Sequence, residues 1–170
     1  MREDCEAIYD YLTYIMGIKE QDIIVFGRSM GSGPTSYLSS LKPCHSILLM
    51  SGFMSIKDAA KYLFGWGSFM SWMVIERFRN IDYIANAKCP AFIMHGIKDT
   101  LIPYQHAIEL NKACPHVSFL NLVPNMDHNQ FSLMEDLVTP FKKFIKQIDP
   151  ELADKRLNNF KKVDKSEGNI

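Results

Sequence analysis

Two kinds of hydrophobic pattern alternate along this chain. Between residues 2 and about 16, Ile8, Tyr11, Leu12 and Ile15 recur at helical spacing and Gly17 follows as a stop, which predicts an amphipathic helix. Ile23 to Phe26 is different: four consecutive apolar residues without alternation suit a short parallel strand covered on both faces. Ser46–Met50 and Ala91–Met94 read the same way, and Val117–Val123 predicts a fourth strand. Helical stretches are expected near 33–41, 57–75, 103–113 and 129–147. Helices interleaved with about four strands predict an open, mostly parallel α/β sheet flanked by helices. From Asp149 to Ile170 the apolar period is lost and charges of both signs mix with asparagine, glycine and serine. Residues 1–148 are therefore read as the folded domain, and 149–170 as a charged, mobile tail with a helical start near Glu151.

Composition narrows the partners. A chain of 170 residues with 47% hydrophobic content can bury one continuous core. Its 19 basic residues balance 19 acidic ones, so charge offers no reason to expect a nucleic acid as partner. Met1-Arg2-Glu3-Asp4 leads into an amphipathic segment rather than an apolar run, which gives a cytoplasmic expectation. The four cysteines are scattered singly without a Cys-x-x-Cys pair, so free thiols are expected, with neither a metal site nor a disulfide framework.

Gly27-Arg28-Ser29-Met30-Gly31 sits directly after the Ile23–Phe26 strand and before a helix. Glycines flanking a serine there suit a turn too tight for side chains, one that lifts the hydroxyl to the C-terminal edge of the sheet. The Met30 amide would lie at the helix N-terminus, where the dipole favours a developing oxyanion. Alone, the motif is balanced by its chance frequency and by the use of glycine in ordinary loops. A serine hydroxyl needs a base and an orienting acid, and both follow at later strand ends. Asp99 lies beyond the third strand in His95-Gly96-Ile97-Lys98-Asp99, and His128 beyond the fourth in Asn125-Met126-Asp127-His128-Asn129. Asp127 is a rival acid, but a sequence neighbour is poorly placed to reach His128 Nδ1. His95 reads as a structural partner in its loop, and His45, His106 and His116 lack metal-ligand spacing. Between the second and third strands lie Phe53 and an aromatic-rich stretch with Trp66, Phe69 and Trp72. These are candidate walls of an apolar acyl slot, with an ordinary core-facing helix as the alternative.

Taken in order, Gly27–Gly31 followed by Pro34-Thr35, then Asn80-Ile81, Cys89-Pro90, His95-Gly96-x-x-Asp99 and His128-Asn129 resemble the α/β-hydrolase superfamily. Within it they are similar to the branch of α/β-hydrolase-domain serine hydrolases that includes the protein depalmitoylases. The resemblance covers about residues 3 to 147 and implies the C-terminal half of an α/β-hydrolase fold. It implies hydrolysis of an acyl ester or thioester without cofactor, with Ser29 as nucleophile, His128 as base, Asp99 as acid and Met30 in the oxyanion hole. S-palmitoylated protein at a membrane surface is the specific substrate expected, with peripheral attachment of the enzyme there. A lipase, esterase or peptidase of the same fold is the alternative, as is a non-catalytic hydrolase-like binding module.

Two departures from the family pattern shape the expectations. The loop before the base usually reads Gly-x-Gly-His, whereas Asn125 and Asp127 occupy the glycine places here. The family also carries further strands before the serine, including a His-Gly segment that lends a second oxyanion donor, and nothing in this sequence corresponds to it. A fragment, a sheet completed by another chain and a shortened homologue are the open readings. With the family's strand order, the serine strand of the isolated chain lies at an exposed edge, through which self-association is expected.

Overall fold

The computed structural model describes residues 1–64 and 73–152. Four strands, β1 (Ile24–Arg28), β2 (Ser46–Met50), β3 (Ala91–Gly96) and β4 (Ser118–Val123), form one all-parallel sheet in the order β1-β2-β3-β4. The register pairs Val25 with Ile47, Ile47 with Ala91, and Ala91 with Ser118. Helices α1 (Arg2–Asp10), α2 (Ser32–Leu41), α3 (Ile56–Phe64), α4 (Asn80–Ile84) and α5 (Gln105–Ala113) connect and flank the strands. The chain divides into two compact units, Met1–Phe131, which holds the whole sheet, and Ser132–Ile170.

Helix crossovers cover a parallel sheet, so its central strands are apolar on both faces. Every residue of β2 and β3 is buried. On one face Ile47, Leu49, Ala91 and Ile93 pack with Ile84, Ala107 and Leu110 into a continuous core. On the other, Phe92 and Phe119 stack with ring centroids 5.5 Å apart. The edge strand behaves differently. Among the described residues β1 pairs on one side only, and Phe26 is 54% exposed, so the expectation of a strand covered on both faces fails there.

The first helical segment, α1 with the π-helical turn Tyr11–Ile15 that follows it, also departs from expectation. Its apolar spacing pointed to Ile8, Tyr11, Leu12 and Ile15, yet Ile8, Tyr11 and Ile15 are exposed, and Tyr9 is the buried residue. Cys5, Tyr9 and Leu12 form the inward row and meet Ile23 and Leu38. The Tyr9 hydroxyl donates to the Pro43 carbonyl. Helix α4 carries no periodic signal in its five residues and was not foreseen as an element. The predicted 57–75 helix is observed from Ile56 to Phe64; residues 65–72 lie outside the described residues, and Val74 and Ile75 are not helical, so the predicted C-terminal end is not met.

In the second unit a π-helical turn, Leu133–Val138, runs into α6 (Thr139–Ile148). Ser132 caps the turn, its hydroxyl accepting from the Glu135 amide at 3.3 Å. The Asp149 carboxylate accepts from the Leu152 amide at 2.9 Å, which starts a further helical turn where one was expected. Most of the 149–170 tail lies outside the described residues.

Candidate active site

β1 delivers Ser29 to the C-terminal edge of the sheet through a tight turn, Ser29–Gly31, that runs straight into α2. Ser29 itself holds φ at 50°, a left-handed conformation that side chains other than glycine or asparagine seldom adopt. The two flanking glycines have different reasons. A Cβ on Gly27 would stand 2.4 Å from both the Gly31 carbonyl oxygen and Thr35 Oγ1, so only glycine fits. A Cβ on Gly31 would meet nothing within 4 Å, and its φ of −65° suits any residue. The expectation that both glycines relieve crowding thus holds at Gly27 alone.

Behind the turn, Ser32 Oγ donates to the Ser29 carbonyl at 2.6 Å, and Asn80 Nδ2 donates to Ser32 Oγ at 3.1 Å. Asn80, fully buried, also donates to the Phe53 carbonyl at 2.9 Å. This small network ties the turn to the loop after β2.

The acid and base loops leave the ends of β3 and β4. They meet because Gly96 lacks a side chain: a Cβ there would stand 2.2 Å from the Met126 carbonyl oxygen. The Lys98 amide donates to that same carbonyl at 3.0 Å. Asp99 Oδ1 then accepts from the Leu101 and Ile102 amides, both at 2.9 Å, which leaves Oδ2 facing the histidines.

Ser29, Asp99 and His128 converge at this edge. His128 Nδ1 lies 2.7 Å from Asp99 Oδ2, and His128 Nε2 lies 3.1 Å from Ser29 Oγ. Burial pushes the Asp99 carboxyl up, but hydrogen bonds from His95, from the Ile102 amide and from His128 outweigh it and hold the group at about 2. An ionised Asp99 only accepts, so His128 Nδ1 carries the proton and Nε2 presents its lone pair to the Ser29 hydroxyl. The buried His95 obeys the same logic. Its Nε2 faces two acceptors, the Ile102 carbonyl at 2.9 Å and Asp99 Oδ2 at 3.3 Å, and so carries the proton.

Asp127 plays another part than acid. Its Oδ1 accepts from the Asn129 and Gln130 amides, both at 2.7 Å, and those bonds hold its carboxyl below the usual range. The turn that results delays the last helix until Leu133 rather than 129. Arg28, inside the serine motif, was given no role from sequence. Its Nη2 donates to the His128 carbonyl at 2.6 Å and to Asn129 Oδ1 at 2.9 Å, bridging the serine turn to the histidine loop. The 100-residue separation hides that contact from any local reading.

Beside Ser29 and His128 opens an apolar cavity of about 320 Å³. Phe53, Ile56, Ala59, Ala60, Leu63 and Ile102 line it, with Met30 at its rim. Phe53, a candidate wall residue from the sequence, is among these lining residues. The other three expected wall residues, Trp66, Phe69 and Trp72, lie outside the described residues. Among the described residues no group of histidine, cysteine and carboxylate side chains is arranged to hold a metal, and no helix is long and apolar enough to cross a membrane.

No protein-family model matches the chain. It is 28% identical over 142 residues to "Alpha/beta hydrolase domain-containing protein 17C" of Xenopus tropicalis, a match covering 84% of this chain and 44% of that protein. It is 27% identical over 150 residues to the human "Alpha/beta hydrolase domain-containing protein 17B", covering 85% and 48%. The chain thus spans less than half the length of these curated relatives. Among solved structures it superposes on an acetyl xylan esterase from Paenibacillus sp. R4 with a TM-score of 0.66 at 13% identity, over 81% of this chain and 50% of that one. Est1E from Butyrivibrio proteoclasticus gives 0.65 at 16%, over 86% and 70%. Sheet order, site and comparisons agree: this is a chain of α/β-hydrolase fold, and its sequence resembles the α/β-hydrolase domain-containing proteins.

Proposed function

We propose that this chain is a serine hydrolase acting on acyl esters or thioesters. One observation carries the reading. Ser29 Oγ faces the lone pair of a histidine whose other nitrogen is held by an ionised, buried carboxylate, and the serine and histidine line an apolar cavity. In this reading His128 Nε2 takes the hydroxyl proton as Ser29 Oγ attacks the acyl carbon. The tetrahedral oxyanion forms beside the Met30 amide, at the N-terminus of α2, where the dipole favours negative charge. His128 returns its proton to the leaving thiol or alcohol, and the acyl-enzyme remains. Water, deprotonated by His128, then releases the acid and restores Ser29.

The apolar walls support a hydrocarbon acyl group rather than a charged one, because Phe53, Ile56, Ala59, Ala60 and Leu63 offer no partner to a buried charge. A palmitoylated protein at a membrane surface is the specific substrate we propose. Acyl-thioester turnover by the intact chain tests the reading. Release of free thiol from a long-chain acyl thioester, lost in Ser29→Ala with folding unchanged, supports it. Equal turnover by the two proteins removes Ser29 as nucleophile, and absence of turnover in both leaves a hydrolase-like binding module.

A further inference from the structure

Two thiols that the site leaves unused stand side by side in the fold. Cys44 stands two residues before β2 and Cys89 two before β3, so the parallel register brings them together. They sit at the N-terminal ends of these strands, the opposite end of the sheet from Ser29, Asp99 and His128. Their Sγ atoms lie 3.2 Å apart. Cys89 is 1% exposed, whereas Cys44 is partly open to solvent.

We propose that Cys44 and Cys89 are a modification site: on exposure to a peroxide they close an intramolecular disulfide, with Cys44 reacting first and Cys89 resolving it. The Cys44 thiolate attacks one peroxide oxygen. A sulfur–oxygen bond forms, the oxygen–oxygen bond breaks, and hydroxide leaves, so that sulfur is oxidised and peroxide reduced. Cys89 Sγ, 3.2 Å from Cys44 Sγ, then attacks the sulfenic sulfur. The disulfide forms, the sulfur–oxygen bond breaks, and hydroxide leaves with the Cys89 proton as water.

The order follows from environment. Contact between the two thiols holds Cys44 below its ordinary value, while Cys89 is pushed up by that same contact and by burial. Burial pushes the thiols of Cys5 and Cys114 up, which leaves them less reactive. The consequence reaches the candidate site. The bond would join the two ends of the segment that carries Phe53, Ile56, Ala59, Ala60 and Leu63, the cavity wall, and would tether that wall at its base.

The test is treatment of the fully reduced chain with hydrogen peroxide, followed by non-reducing intact mass and peptide mapping. The expected product is monomeric, has lost two of its four free thiols, is lighter by about 2 Da, and joins the Cys44 peptide to the Cys89 peptide. Cys89→Ser should instead accumulate a Cys44 sulfenic acid that dimedone traps, and Cys44→Ser should give no bridge. Four surviving thiols, a bridge to Cys5 or Cys114, a link between chains, or a trappable sulfenic acid at Cys44 of the unmodified sequence would each overturn the proposal.

Discussion

Gly27 and Gly31 look equivalent in the serine motif, and exchanging each for alanine separates them. In Gly27→Ala the new Cβ would stand 2.4 Å from the Gly31 carbonyl oxygen, where ordinary contact begins at 3.4 Å. A gap of about 1 Å must therefore open in the backbone that carries Ser29, and overpacking of this kind costs about 1–3 kcal/mol. Movement of about 1 Å between a reacting atom and its base costs about 100-fold in rate. In Gly31→Ala the Cβ enters open space at a φ of −65°, so the change ranges from neutral to about 1 kcal/mol of added stability through the unfolded chain. Urea unfolding gives the stabilities, and the rate of Ser29 modification by a fluorophosphonate gives the geometry. Gly27→Ala should be less stable and slow to react, while Gly31→Ala should match or exceed the parent in both. Equal damage from the two substitutions, or none from Gly27→Ala, would refute this assignment of the crowding.

Three further outcomes follow from the site. Asp99 has a folded-state value of about 2 against an ordinary 3.8, so its contribution to stability, roughly 2 kcal/mol, is complete above 3.8 and is lost as pH falls toward 2; Asp99→Asn should flatten that part of an acid-unfolding profile. Arg28→Ala frees the His128 loop from the serine turn and should lower kcat about 10- to 100-fold with KM within about 2-fold. Guanidinium ion should partly restore the rate, and a variant as active as the parent would show the bridge to be idle. Ala60→Trp fills the cavity and should lower kcat/KM for a long-chain thioester about 10- to 100-fold while changing that for an acetyl ester less than about 3-fold.

How much of this was legible in the sequence depends on how local each cause is. β2 matches its predicted bounds because a strand buried on both faces is a plain apolar run between turn residues. Ser29, Asp99 and His128 were readable because each follows a strand, and parallel strands end at one edge. What failed depended on surroundings. Phe26 is as apolar as its neighbours, yet among the described residues β1 is an edge strand and Phe26 is left exposed on its face. In the first helical segment two rows of apolar residues competed, and the inward row is the one whose Tyr9 hydroxyl donates to the Pro43 carbonyl, a contact no periodicity reports. Arg28 and Asn80 act across 100 and 48 residues of chain, through contacts that exist only once the sheet has formed. The second glycine misled because a motif records which residues recur together, not which of them is crowded.

The central claim is that Ser29 is an activated nucleophile, and covalent labelling tests it most directly. The intact chain, treated with a fluorophosphonate and mapped by mass spectrometry, should carry the adduct on Ser29 alone, with labelling abolished in Ser29→Ala and strongly slowed in His128→Ala. An unlabelled chain, or an adduct on another residue with Ser29 untouched, would contradict the claim.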